Sequence, residues 1–338
     1  MKNNDASSSM TRFEEIDVMK GIAITLVVLG HVLAWFYADF LERFETMSYN
    51  EVVLWKYIYS FHMPLFMFVS GFVAFNPAKK YQIDKVGKRC LSYLIPLLIF
   101  GLLCSLYREE FNAGNIVGQY WYFKTLSIFL LILYGLEVAL GKIKINRTFS
   151  DILIAILFSI ITICLSMGCK RCGGALNLIV DSSHLDWNFF YFILGWYLRR
   201  EEKLYRLCKH DICFVLCFIL MIVHVVYPKN VYIVFPIAAI IFTLHISDNL
   251  AKGKMKAFIV NLGKRTKDIY ILHFFFMLKV PDIGLYFAKI APLGIAPSLV
   301  LQALAGIPTC LVITFLCYKI GFLLNRNKYI SRYFFGYL

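Results

Sequence analysis

The sequence predicts an all-α fold: a polytopic integral membrane bundle of about ten transmembrane helices with both termini cytoplasmic. Three observations predict it. Hydrophobic residues make up 60% of the 338-residue chain and charged residues only 17%, below the quarter usual in soluble domains, and the mean hydropathy is +0.68. Apolar runs recur along the whole chain with short polar connections between them, and a helical crossing needs about 20 mainly apolar residues. The 35 Lys and Arg are also divided unevenly. The N-terminal segment, alternate connections and the tail hold 26, the opposite connections hold 7, and Lys56 and Lys124 lie inside spans. That excess marks the cytoplasmic side.

The ten spans are read at 18–37, 53–75, 91–107, 120–140, 151–168, 187–200, 212–227, 231–247, 266–280 and 295–319. The first follows Asp17, and the second carries Pro64 within "YSFHMPLFMFVSGF". The third follows a basic cluster, the fourth opens on Tyr120, Trp121 and Tyr122, and the fifth is continuously apolar. The sixth, rich in aromatics, and the ninth are the shortest on apolar content. An even count returns the tail to the side of the N-terminus. The expected division is a cytoplasmic segment 1–17, a transmembrane domain 18–319 and a cytoplasmic tail 320–338, with no cleavable signal peptide. The net charge of +14 lies between apolar spans, so it reads as topology and not as a nucleic-acid surface. The lipid bilayer of the cell (plasma or inner) membrane is the expected surrounding. The oligomeric state is open. Most of the ten cysteines stand singly in apolar runs, where Cys acts as a small hydrophobe. Cys169 and Cys172 form a lone CxxC, which can close a loop disulfide on an oxidising face; no metal site and no tightly bound cofactor are expected.

Within "GIAITLVVLGH" the first span carries His31. It lies 11 residues beyond Lys20, roughly 16 Å at 1.5 Å per residue and on nearly the same helix face. Asp17, three residues before Lys20, joins that stripe. His62, beside Pro64 on the returning span, is expected at comparable depth. Ionisable side chains within spans are functional candidates. The cluster Lys79, Lys80, Lys85, Lys88 and Arg89 is a positive-inside signal and also suits phosphate, with Arg as a fork and Lys as a point charge. Lys124 requires a partner or a wet cavity, and Glu137 is expected beside Lys142. His184, His210, His224 and His245 fall in loops or near span ends and are read as solvated.

"EIDVMKGIAITLVVLGH" (Glu15 to His31) followed by "FHMPLFMFVSGF" resembles the opening of the membrane-bound acyltransferase-3 family, O-acyltransferases of cell-surface glycans. "KRCLSYLIP", "YWYFKTL", "WNFFYFILGWYL" and "LGKRTKDIYILH" resemble later family motifs, in order. The resemblance implies acyl-CoA, by default acetyl-CoA, as cytosolic co-substrate and a sugar hydroxyl of a glycan or lipid-linked sugar as acceptor. His31 matches the family's essential histidine, Lys88 and Arg89 its second basic site, and Lys20 a position where many members carry Arg. On this reading His31 is a general base, and His62 orients the acceptor or stabilises the oxyanion. Lys20, Lys88 and Arg89 bind the donor, supported by Asp17. Trp121 and Tyr122 either anchor the interface or stack a sugar ring, and His273 either reaches the site or is structural. Direct transfer and an acetyl-His intermediate are both open. The alternative reading is a transporter or channel along the His31–His62 axis.

Overall fold

Burial on nearly every face of the first apolar run makes it the central post of the molecule, as expected of a helix that is hydrophobic all round. The computed structural model describes residues 13–37, 40–74, 83–109, 111–143, 146–227, 234–253 and 256–338. Lys79, Lys80 and residues 1–12 of the N-terminal segment lie outside the described residues. Every regular element among the described residues is helical. The principal helices are α1 (Glu14–Trp35), α2 (Val53–Tyr59), α3 (His62–Phe72), α4 (Ile83–Tyr107), α5 (Trp121–Leu140) and α6 (Arg147–Cys172). After them come α7 (Ser182–Arg200), α8 (Glu202–Cys208), α9 (Asp211–Val226), α10 (Phe235–Leu250), α11 (Lys256–Lys264), α12 (Thr266–Leu272) and α13 (Ile295–Leu324).

Six helical stretches among the described residues are long and apolar enough to cross a membrane: α1, 50–72 including α2 and α3, α4, α5, α6 and α13. The pair α8 and α9, bent by 57°, makes a seventh candidate, and α10 is a shorter apolar helix. Outward faces of α4, α6, α9 and α13 expose large apolar side chains such as Leu98, Ile156, Phe218 and Leu311. These suit hydrocarbon and not water.

Against the ten expected spans, six, or seven with the bent pair, qualify among the described residues, and two of the expected spans are broken. The second is not one helix: α2 ends at Tyr59 and α3 starts at His62. Pro64 therefore occupies the first turn of a new helix, where a missing N–H removes no helical bond. The ninth is broken at His273 into α12 and a four-residue helix, Phe274–Met277. Seven residues rise only about 10 Å, so α12 is a short element inside the bundle.

Close backbone approaches hold the post in place. A Cβ on Gly21 would lie 2.6 Å from the Ile259 carbonyl oxygen, and one on Gly263 1.8 Å from that of Asp17. The crossing of α1 with α11 is thus set by the two glycines. Gly71 and Gly195 play the same part between α3 and α7, where added Cβ atoms would lie 1.8 Å from the Phe192 oxygen and 2.0 Å from the Phe68 oxygen. Small residues let membrane helices approach in this way. Glu137 departs from the expected Lys142 pairing. It accepts from Trp196 Nε1 at 3.1 Å and pairs with Arg200, which also donates to Asp151 at 3.1 Å. Lys142 stands exposed beyond the end of α5, while Arg200 on α7 reaches the half-buried Glu137 carboxylate.

Candidate active site

Two cavities lie along one stripe of α1. Lys20 and Ala23 line the first, Val27 and His31 the second, positions three or four residues apart and so on one face. Each encloses about 650 to 700 Å³, a size suited to a small-molecule site.

The first cavity is basic. Lys20, Lys85, Lys88, Arg89, Lys264 and Lys267 reach it from α1, α4 and the α11–α12 corner. Along the sequence Lys264 and Lys267 read only as topology signals; folding α11 against α1 brings them beside Lys20. Asp17 pairs with Lys20 at 3.2 Å. Arg89 also serves the backbone, donating to the carbonyl oxygens of Val73 (3.3 Å) and Ala74 at the end of α3. Arg199 donates to the Phe72 oxygen at 2.8 Å. Two guanidinium groups therefore satisfy the carbonyls that a helix C-terminus leaves open. The chain's last residues return to this cavity. Phe335 is buried against Phe100, and Tyr337 donates to Asp268 at 2.7 Å under the Lys267 ammonium. Burial and the Asp268 carboxylate push the Tyr337 hydroxyl pKa upward. Tyr122, expected on the acceptor side, lines this basic cavity instead, its hydroxyl 2.6 Å from that of Ser70. Consecutive residues on a helix point 100° apart, so Trp121 and Tyr122 serve different spaces.

The second cavity gathers imidazoles. His31 and His62 both line it, brought together by the turn between α1 and α3. Tyr59, at the end of α2, lies between them. Its hydroxyl is 3.5 Å from His31 Nδ1, and its ring centroid is 4.6 Å from that of His62. His62 Nδ1 lies 2.9 Å from the Ile58 carbonyl oxygen. A carbonyl only accepts, so Nδ1 carries the proton and Nε2 is left for a ligand. His273 is wholly buried with its ring 5.2 Å from that of His31. Its Nδ1 lies 3.2 Å from the Ile269 oxygen, and its Nε2 has no hydrogen-bond partner among the described residues.

Trp121 lines the mouth of this cavity, and His184 stacks on it at 3.8 Å. His184 Nδ1 stands 2.8 Å from Asp181, whose other oxygen is 3.6 Å from Lys124 Nζ. Lys124 donates to the Leu178 oxygen at 2.7 Å, which supplies the partner its position demands. Burial pushes the Asp181 carboxyl up, but His184, Ser183 and Lys124 outweigh it and hold the pKa at about 2. His184 is thus not the solvated side chain that its sequence position suggests. The one local signal is its i+3 spacing from Asp181 with Trp187 close behind; the stack on Trp121 is a long-range contact that no local pattern reveals.

The fold is an apolar helical bundle suited to a membrane, and its site sets a basic cavity and an imidazole cavity along one helix. Residues 13–319 match the acyltransferase-3 family model, an acyltransferase domain. The chain belongs to that family. It is similar to the nodulation protein NolL of Mesorhizobium japonicum, 27% identical over 162 residues, which covers 39% of this chain and 42% of the relative. It is also similar to the nodulation protein NolL of Sinorhizobium fredii, 35% identical over 130 residues covering 34% of each. The chain spans less than half the length of these relatives. No solved structure matches it.

Proposed function

We propose that this protein is an integral membrane O-acyltransferase of the plasma or inner membrane. It moves an acetyl group from cytosolic acetyl-CoA to a sugar hydroxyl of a surface or exported glycan or lipid-linked sugar. The observation that carries this reading is the α1 stripe, with Lys20 in a cation-lined cavity and His31 in a separate imidazole-lined one. The phosphates of the donor suit the cations of the first cavity, through point charges from Lys and a fork from Arg. The second cavity, with Trp121, Trp187 and Asn188 in its wall, offers an aromatic face and amide groups to a sugar.

His31 is the general base. An alcohol is a weak nucleophile at neutral pH, and a positioned imidazole that takes its proton contributes about 10²–10⁴-fold. The hydroxyl oxygen forms a C–O bond to the thioester carbon while its proton passes to His31. The C–S bond then breaks, and the proton returns to the departing sulfur, leaving an O-acetyl ester and a free thiol. Tyr59 holds the His31 ring. His62 stands where its Nε2, an acceptor while Nδ1 carries the proton, takes a hydrogen bond from an acceptor hydroxyl and orients it.

The test is label transfer from radiolabelled acetyl-CoA to glycan in membranes carrying equal amounts of wild type, His31→Ala or His31→Gln. Label in the wild type and a loss of at least about a hundredfold in both variants is expected. Equal label in all three removes His31 as the base. No label in any, with solute flux across the same membranes, favours a transporter.

A further inference from the structure

A buried amide on α13 grips the start of the short helix that carries Tyr59. Gln302 is 1% exposed and lines neither cavity. Its Oε1 accepts from the Leu54 N–H at 2.9 Å, and its Nε2 donates to the Asn50 and Glu51 carbonyl oxygens at 2.8 and 3.0 Å. Resting on the acyl-transfer reading above, we propose that Gln302 is a positioning residue for the base. It sets the height of α2 beside α1 and so keeps the Tyr59 hydroxyl on His31.

The helix α2 has seven residues, too few to stand without tertiary support, since isolated helices need about 12–15. Its N-cap, Val52, makes no side-chain hydrogen bond to the first-turn N–H groups. The Gln302 oxygen does the work of a cap from a distant helix. The two amide hydrogens of Gln302 meet two carbonyls of the 3₁₀ turn Asn50–Val52 that precedes α2. A reversed amide would set N–H against N–H and oxygen against oxygen, so the partners fix its orientation. Tyr37, just beyond α1, donates to the same Glu51 oxygen at 3.0 Å.

Two contacts lead from this grip to His31. Leu54 precedes Trp55, whose ring stacks on Tyr59 one turn further along at 4.2 Å. The Tyr59 ring in turn lies against Gly30 of α1, where a Cβ would stand 2.8 Å from Tyr59 Cε2. The Tyr59 hydroxyl is 3.5 Å from His31 Nδ1, and by about 3.6 Å such a contact is no longer a hydrogen bond. Stacked rings tolerate a slide of a few tenths of an ångström. This hydroxyl does not, so its contact depends on what holds the start of α2.

The experiment measures acetyl transfer from acetyl-CoA by the full-length protein in membranes, as rate per folded protein. It compares wild type, Gln302→Met, Tyr59→Phe and the double variant. Met keeps the length and bulk of the side chain and removes the amide. Gln302→Met is expected to lower kcat about three- to fivefold with donor KM unchanged, the scale of one hydrogen bond. The double variant is expected to be no slower than Tyr59→Phe alone, because the two changes remove one contact. Gln302→Glu keeps an oxygen for Leu54 and loses both donors. It carries the same cycle if the Met variant does not elute as a folded species on gel filtration. A folded Gln302 variant with a depressed Tm and wild-type kcat overturns the proposal, as do losses that multiply in the double variant or a Tyr59→Phe enzyme with wild-type kcat. Wild type that forms no acetyl ester from acetyl-CoA overturns the acyl-transfer reading itself, a failure distinguishable from that of Gln302.

Discussion

The Tyr59 hydroxyl lies 3.5 Å from Nδ1 of His31, and the ring of Tyr59 packs between His31 and His62. Residues 28 positions apart thus fix the orientation of the central imidazole. A second group that sets ring and tautomer is what a base needs to present its other nitrogen to substrate. Tyr59→Phe removes the hydroxyl and keeps the ring stack on Trp55. The expected outcome is a kcat lower by about fivefold with donor KM unchanged, on the scale of one hydrogen bond of about 1 kcal/mol. Steady-state kinetics with acetyl-CoA varied separates the two parameters; a change confined to KM would remove Tyr59 from the chemical step.

The cations of the first cavity divide into two roles. Lys20 and Lys88 project into it, whereas Arg89 also ties the end of α3 through Val73 and Ala74. Lys20→Gln and Lys88→Gln are each expected to raise the donor KM roughly three- to tenfold, about 1 kcal/mol for partly solvated charges. Both effects shrink at high salt. Arg89→Ala is expected to lower thermal stability as well, because it strands helix-terminal carbonyls. Arg89→Lys is expected to recover little of that loss, since an ammonium lacks the planar fork. Thermal unfolding in detergent, paired with donor kinetics, checks the split.

Gly195→Ala tests the α3–α7 crossing. The added methyl would meet the Phe68 carbonyl at 2.0 Å, an immovable backbone atom, and overpacking costs about 1–3 kcal/mol or more. Lower yield of folded protein and a depressed Tm are expected. The same change at Gly135, which has open space around it, is expected to leave both near wild type.

Asp181 sets a pH limit on the Trp121 side. The residue has φ 56°, a left-handed backbone that Asn also tolerates, so Asp181→Asn removes charge without forcing the chain. The folded pKa of about 2 lies below the ordinary 3.8. Its stabilisation is therefore complete above pH 3.8 and lost as pH falls through 2. The Tm gap between wild type and variant is expected to persist at about pH 5 and close between about pH 4 and 2. A gap already absent at about pH 5 would show that the carboxyl is not held down.

The sequence by itself determined the helical membrane class, through composition and recurring apolar runs. It also determined the α1 stripe, because the 11-residue offset between Lys20 and His31 fixes face and distance on any α-helix. The ordered motifs carried the family, which the match over residues 13–319 shows. Only the tertiary structure decided what contacts between distant segments decide. Crossings at Gly21, Gly71, Gly195 and Gly263 place the cavities, and the break at His273 turns an expected span into α12. The pairing of His184 with Trp121, the move of Tyr122 to the basic cavity and the position of Tyr270 between the two spaces follow from those crossings. Local periodicity specifies which face of a helix is apolar, but not which neighbour covers it. That choice is made by close packing across the whole bundle.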